Sequence, residues 1–537
     1  MVPCLSDVSL LRSIQLTSPR TIVVVLVLAI VTTIIAAVLL PRTVPATTRG
    51  STVDGSARPA ARTVLRAVGR CTARIVMVSV PVLLVIALGG LLINRPMHYV
   101  RTLGDVVKAA TPRTQVTSRI APLPKASAYD AVPASAWKAS FHDVGDGSQE
   151  ATWTGPVSGI TLPVRVVLPA GYRPDDGRTY NVLVGLHGWV GDPQSLVTGI
   201  ASPQRLQEAI SAGRIPPSIL VFPSLNVDGG QPDCVNIAGR PAVGTWTAEE
   251  IPRMIQATFP NVTTQRAGWM IMGISAGAYC AARTAYDVPE RFGAVGVMSS
   301  YDLPGEGSLA HSGKTLQAQN GLSTMLGKRE PDGMRFYVLG AQDDSSGAAR
   351  AAWLMDDAVR KPDSLTVDTP ASGGHSWTLW NNYFPSLLTW WGSDPAVFKA
   401  AGVTAPQGDT WAKATAAGVK PLSETPKDQR VVGSVSPVRA RPFEINGLGT
   451  IIVAVVASLG ALGAVMFWSP RWGRRRDGGK QSVARLGGAI LGRVVVILVA
   501  AGLVAVTAGI GANASGGFYT SWRDLRASVR VNERAGK

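Results

Sequence analysis

The apolar positions of this chain fall into two kinds of run. Four runs are long and free of charge, at residues 21–40, 75–93, 447–468 and 494–512, and each reaches the roughly 20 helical residues that a bilayer core demands. The first exceeds the length of a signal-peptide core and lacks a small-residue cleavage site before Pro41, so it too reads as a span. Between the second and third spans the runs shorten and alternate with helical stretches. Strands are predicted at 161–168, 181–186, 218–222, 268–272, 294–298, 335–339 and 364–367, and helices at 202–212, 247–257, 276–286 and 348–360. That alternation predicts an α/β domain, a mostly parallel sheet with helices on both faces.

Composition marks the joints. Residues 94–135 are rich in Thr, Pro, Ala and basic side chains, and 401–446 carry Pro406, Pro421, Pro426, Pro437 and Pro442. Both read as linkers, which leaves 136–400 for the α/β domain, enough for one substantial core. Tails at 1–20 and 513–537 flank the outermost spans.

Charge supplies the topology. The loop 41–74 holds Arg42, Arg49, Arg58, Arg62, Arg66, Arg70 and Arg74 against Asp54 alone, and 469–493 holds Arg471, Arg474, Arg475, Arg476, Lys480, Arg485 and Arg493 against Asp477 alone. Basic residues in short loops near helix ends stay cytoplasmic. Both loops are therefore expected inside the cell membrane, with the α/β domain and both termini outside. The net charge of +17 is then accounted for by topology and by contact with anionic membrane lipids. It calls for no nucleic-acid partner, and no zinc-ligand spacing or interleaved aromatic patch points to one. Nor does a charge inside a span suggest transport.

The sharpest chemical signal is Gly273-Ile274-Ser275-Ala276-Gly277, directly after an apolar run and before a helical pattern. A serine hydroxyl becomes a nucleophile when it is held exposed beside a base, and a strand-to-helix turn flanked by glycines exposes it. Ser275 is the expected nucleophile. The partners should follow in the order acid, then His, as in α/β-hydrolases. Of the five histidines, His98, His142 and His187 precede Ser275 and His311 precedes the acid candidates, which leaves His375 in the Gly-rich loop Gly373-Gly374-His375-Ser376-Trp377. The acid is expected at Asp343, with its neighbour Asp344 as the alternative; whichever is unused would cap the next helix. The oxyanion donors are expected to be the backbone N–H of Ala276 and one from the loop His187-Gly188-Trp189, Trp189 first and Gly188 close behind. His187 itself reads as structural. Trp189, Trp377 and Trp380 would either line an apolar entrance or belong to the core, and residues 301–331 would cap the pocket. No metal or organic cofactor is expected, since acyl transfer through Ser, His and Asp needs none. Cys234 and Cys280, the cysteines of the central segment, are a candidate disulfide in an oxidising exterior or else two buried thiols.

Taken together, the Leu186-His187-Gly188 loop, Gly273-Ile274-Ser275-Ala276-Gly277, the strand ending before Asp343 and His375-Ser376-Trp377 with Trp380 resemble the putative esterase family of α/β-hydrolases, which is similar to esterase D, feruloyl esterases and mycolyltransferases. Leu168-Pro169-Ala170-Gly171-Tyr172 looks like the family's first hairpin, and the resemblance runs from about residue 157 to 391. It implies an acyl-enzyme formed on esters or thioesters and strengthens the Cys234–Cys280 pairing. Mycolyltransferases carry Glu where this chain has Asp343, so hydrolysis of esters, lipid or envelope esters among them, ranks ahead of acyl transfer to a sugar. A catalytically silent scaffold or a peptidase on the same residues ranks lower. The sequence does not specify an oligomeric state.

Overall fold

Each short apolar run predicted in the central segment becomes a strand of one nine-stranded sheet. The structure, a computed structural model, describes residues 14–44, 61–97, 102–104, 106, 119–189, 191–227, 233–305, 307–430, 441–472, 483–516, 519, 521–523 and 525–526. The N-terminal tail before Ile14, residues 45–60 and 473–482 of the two basic loops, His98 and Pro437 lie outside the described residues. The chain divides into a unit built on Pro96–Arg439 and a second made of Ile14–Arg95 with Ala440–Gly516. In the first unit the strands are β1 (His142–Asp143), β2 (Gln149–Thr154), β3 (Thr161–Val167), β4 (Asn181–Leu186), β5 (Ser218–Pro223), β6 (Trp269–Ile274), β7 (Ala294–Met298), β8 (Arg335–Leu339) and β9 (Ser364–Asp368). They are ordered β1-β2-β3-β5-β4-β6-β7-β8-β9. The β1–β2, β2–β3 and β3–β5 pairs are antiparallel and every other pair is parallel.

Successive strand residues point to opposite faces, so strands that are apolar at every position need cover on both. Val182, Val184 and Leu186 of β4, Ile271 of β6 and Val295 and Val297 of β7 enter one core, beneath the helices Ile251–Thr258, Ala276–Asp287 and Ala348–Ala358. Leu183, Met270, Met272, Ile274 and Met298 enter the other, beneath Pro193–Gly199, Ser202–Ser211 and Trp377–Gly392. The chain order reverses at β4, whose neighbours are β5 on one side and β6 on the other. Open α/β sheets bind their ligands outside the carboxyl ends of the strands at such a switch point, which here falls between the loops that follow β4 and β6.

The hydrophobic pattern missed several elements, β2 and the Trp377–Gly392 helix among them. Strand β2, next to the two-residue edge strand β1, carries polar residues at alternate, exposed positions. The Trp377–Gly392 helix contains Pro385, a residue that ordinarily interrupts a helix. The predicted linkers also need correcting, because the domain reaches into both. Tyr129 is buried in the first core, with Leu123 and Val132 packed against it. Beyond Ala400, the Ser423 N–H donates to Asp368 Oδ1 at 3.0 Å, Thr369 N–H donates to the Ser423 carbonyl at 2.7 Å, and Arg430 pairs with Asp356 at 2.8 Å. Pro- and Thr-rich segments lack a period, but backbone hydrogen bonds to strand ends hold them without one.

Asp368 gives this clamp a pH dependence. Burial pushes its carboxyl up to about 6, with the Tyr337 hydroxyl and the Ser423 N–H restraining the rise. The folded value lies above the ordinary 3.8, so the fold favours the protonated form. That contribution is complete below pH 3.8 and is lost as pH rises through about 6, on the order of 3 kcal/mol in total. Melting temperatures of wild type and Asp368→Asn, followed from pH 4 to 7, should therefore converge or cross in favour of Asn as pH rises. Parallel curves would show that the carboxyl does not titrate in this range.

The second unit contains Pro19–Leu39, Ala61–Met97, Leu448–Gly463 with its continuation to Trp468, and Val483–Gly516. These supply four helices long and apolar enough to cross a membrane. The second and fourth begin well before residues 75 and 494, because hydropathy marks only the lipid-matched part of a helix. Their early turns carry Arg74, which donates to the Thr43 carbonyl at 3.0 Å and the Met466 carbonyl at 3.3 Å, and Arg493, which donates to the carbonyls of Ala37 at 2.5 Å and Trp472 at 3.0 Å. Both arginines thus satisfy carbonyls near the carboxyl ends of the first and third helices, where intrahelical donors run out.

Candidate active site

The turn after β6 is set by steric necessity. Ser275 has φ 57° and ψ −122°, a left-handed backbone that a non-glycine residue holds only under constraint from its surroundings. Its N–H donates to the Met298 carbonyl at 2.9 Å, tying the turn to the end of β7. A methyl group on Gly273 would overlap the backbone of Gly277, and one on Gly277 would stand 2.5 Å from the His187 carbonyl oxygen and nearer still to that of Leu186. Only glycine lets the Ala276–Asp287 helix start this close to β6 and β4. Ser275 is left half-buried.

His375 arrives on a loop zipped to its neighbour. Gly340 N–H donates to the Asp368 carbonyl and Gln342 N–H to that of Pro370, at 3.0 and 2.9 Å, which draws the loop after β8 against the loop after β9. His375 then places Nε2 2.8 Å from Ser275 Oγ and Nδ1 2.9 Å from Asp344 Oδ2. The expectation for Asp343 is corrected here. The chain turns at Ala341, where Asp344 N–H bonds back to the Ala341 carbonyl at 3.1 Å, and this turn buries Asp344 behind the imidazole. Asp343 instead accepts the Gly374 N–H at 2.8 Å and so holds the histidine's loop. It does not cap the next helix, whose N-terminal flank is Gly347. Burial alone would raise the Asp344 carboxyl, but the His375 ring, together with the Ser346 hydroxyl and N–H, outweighs it and holds the group below the ordinary carboxylate value. No local sign separates the two aspartates, since Ser345 stands two residues past Asp343 as Ser346 stands past Asp344; in the fold the Ser346 N–H closes a turn onto Asp344 Oδ1 at 2.8 Å.

On the opposite wall, Gly188 faces the serine: a methyl group there would stand 3.2 Å from Ser275 Cβ and 3.7 Å from Oγ. His187 is buried and serves this loop. Leu225 N–H donates to its Nε2 at 2.9 Å, which puts the ring hydrogen on Nδ1, and Nδ1 donates to the Gly188 carbonyl at 2.9 Å. In a trans peptide the next N–H points opposite to the carbonyl, so the Trp189 N–H is turned away from His187. Ala276 opens its helix, and its N–H is among the first-turn donors that have no intrahelical acceptor.

Other expectations resolve differently. Trp377 and Trp380 are buried in the second core, not at an entrance, while Trp189 is half-buried. The segment 301–331 packs on the helix that follows Ser275: Tyr279 donates its hydroxyl to the Asn320 carbonyl at 2.7 Å and stacks on Tyr301 at 5.4 Å. Cys234 and Cys280 are joined, Cα atoms 4.9 Å apart, and the bridge fastens the loop before the Trp246 helix to that same helix. His142 lies exposed on β1, and His311 meets the Gly307 carbonyl at 2.9 Å within the 301–331 segment.

Residues 158–390 match the model of a family described as "Putative esterase", a stretch that contains the whole Ser275, His375 and Asp344 arrangement and none of the four long apolar helices. Among solved structures, the chain is similar to a ferulic acid esterase at 18% identity, covering 45% of this chain and 97% of that one with a TM-score of 0.40. It is also similar to the fluorophosphonate-binding serine hydrolase F of Staphylococcus aureus, at 14% identity, 45% and 97% coverage and a TM-score of 0.37. An S-formylglutathione hydrolase from Agrobacterium tumefaciens matches at 15% identity, 47% and 97% coverage and a TM-score of 0.37. No curated protein sequence matches the chain. The match to the putative esterase family lies wholly within the α/β domain, a serine ester hydrolase of α/β-hydrolase fold.

Proposed function

We propose that this chain is a membrane-anchored esterase whose α/β domain works on the outer side of the cell membrane, cleaving esters through Ser275, His375 and Asp344. The observation that carries this reading is the unbroken run of hydrogen bonds from Ser275 Oγ through His375 to Asp344, 2.8 and 2.9 Å long, starting at a strained strand-to-helix turn. His375 Nε2 takes the hydroxyl proton as Oγ bonds to the ester carbonyl carbon, and the carbonyl electron pair moves onto oxygen. The N–H groups of Ala276 and Trp189 receive that oxyanion, the second held in orientation by His187 through the Gly188 carbonyl. Asp344 fixes the imidazole tautomer and stabilises the imidazolium. Collapse returns the electron pair, breaks the bond to the alcohol, and passes the proton from Nε2 to the leaving oxygen. Water repeats the sequence on the acyl-enzyme.

The basic loops support the outward placement of the domain, and the Cys234–Cys280 bridge suits an oxidising exterior. A domain joined at both ends to apolar helices stays near the lipid surface, which favours lipid or envelope esters as substrates. The test is labelling of intact cells with a membrane-impermeant fluorophosphonate, comparing wild type with Ser275→Ala. Labelling lost in the variant is expected. Labelling only after lysis would reverse the topology, and none in either sample would remove the nucleophile. Product analysis with an added sugar acceptor separates hydrolysis from acyl transfer: an acylated sugar in place of free acid would make the chain a transferase.

A further inference from the structure

His375 poses a positional problem. It sits in a loop next to Gly373 and Gly374, with φ 148° and 59°, so the backbone does little to aim its ring. Hydrogen bonds at Nε2 and Nδ1 fix two ends of the imidazole but leave rotation about the axis between them. The structure contains a wall against that rotation. Ser376 caps the Trp377–Gly392 helix by accepting the Leu379 N–H at 3.2 Å. His375 therefore occupies the position before the cap, and Trp380 the fourth helical position. Side chains at these two positions pack on each other and fix the angle at which the chain enters a helix. Here one of the pair is the base: the two rings meet edge to face, 5.1 Å apart with an interplanar angle of 87°.

The wall is itself pinned. Trp380 Nε1–H donates to Ser299 Oγ at 2.9 Å, and Trp377 meets Trp380 at 5.0 Å, again edge to face. Ser299 is fully buried at the end of β7 and, like Ser275, has a left-handed backbone, φ 57°. Its N–H donates to the Leu339 carbonyl at 2.7 Å. The strand ends that present the nucleophile and the pin are adjacent, since Ser275 N–H bonds to the Met298 carbonyl. A non-glycine residue in this conformation costs stability and persists only where its surroundings over-determine it; the Trp380 indole bond is one such contact.

We propose that Ser299 and Trp380 are positioning residues that hold the His375 ring in register between Ser275 and Asp344, with Ser299 acting on the imidazole through the Trp380 indole. The proposal rests on the Ser275–His375 reading above. The test uses the full chain purified in detergent, with a soluble p-nitrophenyl ester and a fluorophosphonate as probes. Ser299→Ala and Trp380→Phe should each lower kcat and the labelling rate roughly tenfold or more. KM should be unchanged and the acidic limb of the pH profile displaced. The double variant should be no slower than the slower single, because both break one relay. Ser299→Gly, which relaxes the backbone while removing the hydroxyl, should fold at least as well as wild type and still be slow. Wild-type kcat and pH profile in Ser299→Gly, or multiplicative losses in the double variant, would overturn the proposal. If wild type itself fails to label, the Ser275 reading fails instead, which keeps the two failures distinct.

Discussion

Asp344→Asn should hydrolyse a soluble ester about 10⁴-fold more slowly than wild type, with Ser275→Ala about 10⁶-fold down. Asp343→Asn should lose only roughly tenfold to a hundredfold. The ranking follows from where each carboxylate points. Asp344 meets Nδ1 of His375 at 2.9 Å and is held ionised by that ring and by Ser346 against the effect of burial. An amide in its place offers an N–H to the same nitrogen, so the imidazole turns to the tautomer that carries its hydrogen on Nε2 and can no longer accept the serine proton. Asp343 holds the histidine's loop through the Gly374 N–H, and an amide oxygen can still accept that bond. The check is kcat for the three purified variants. A larger loss for Asp343→Asn than for Asp344→Asn would return the acid role to Asp343, and small equal losses would detach both from the chemistry.

Gly277→Ala is expected to cost about 3 kcal/mol or more in stability and to abolish labelling of Ser275. In an isolated helix alanine would be favoured over glycine by about 1 kcal/mol, so helix propensity alone predicts the opposite sign. The deciding fact is the backbone beside it: the added methyl meets the carbonyls of Leu186 and His187, which end β4 and begin the oxyanion loop. Backbone in a paired parallel strand cannot retreat, because β4 is bonded to β5 and β6. The helix must lift, carrying Ser275 and Ala276 away from Gly188. Unfolding midpoints together with fluorophosphonate labelling read both effects. A variant with wild-type midpoint and labelling would mean that the helix can shift off β4 without penalty.

The central strands were legible because parallel strands covered on both faces are apolar at nearly every position; β4, β7 and β8 fall where the pattern put them. Ser275 and His375 were legible for another reason, since a Gly-flanked turn and a Gly-rich loop are local features. What failed was what depends on non-local partners. The choice between Asp343 and Asp344 depends on a turn at Ala341 and on which neighbour Gly374 engages. The irregular segments around Tyr129 and Ser423 are fixed by a core and a strand end far away in sequence. Trp380 stayed open between entrance and core because its indole's partner, Ser299, lies 81 positions earlier.

The helical unit has its own consequence for the order of assembly. Its halves, Ile14–Arg95 and Ala440–Gly516, are separated by the whole α/β domain. Yet Leu40, Ala36 and Ala37 share a core with Ile497, Ala500 and Ala501, and Arg493 reaches the Ala37 carbonyl. During synthesis the first helical pair must therefore wait, at 5–20 residues per second, for roughly 20–70 s before its partners exist. Throughout that interval the Ala37 carbonyl lacks Arg493 and the small-residue face around Ala36 stands open, so the newborn chain presents a docking surface that the finished protein no longer has.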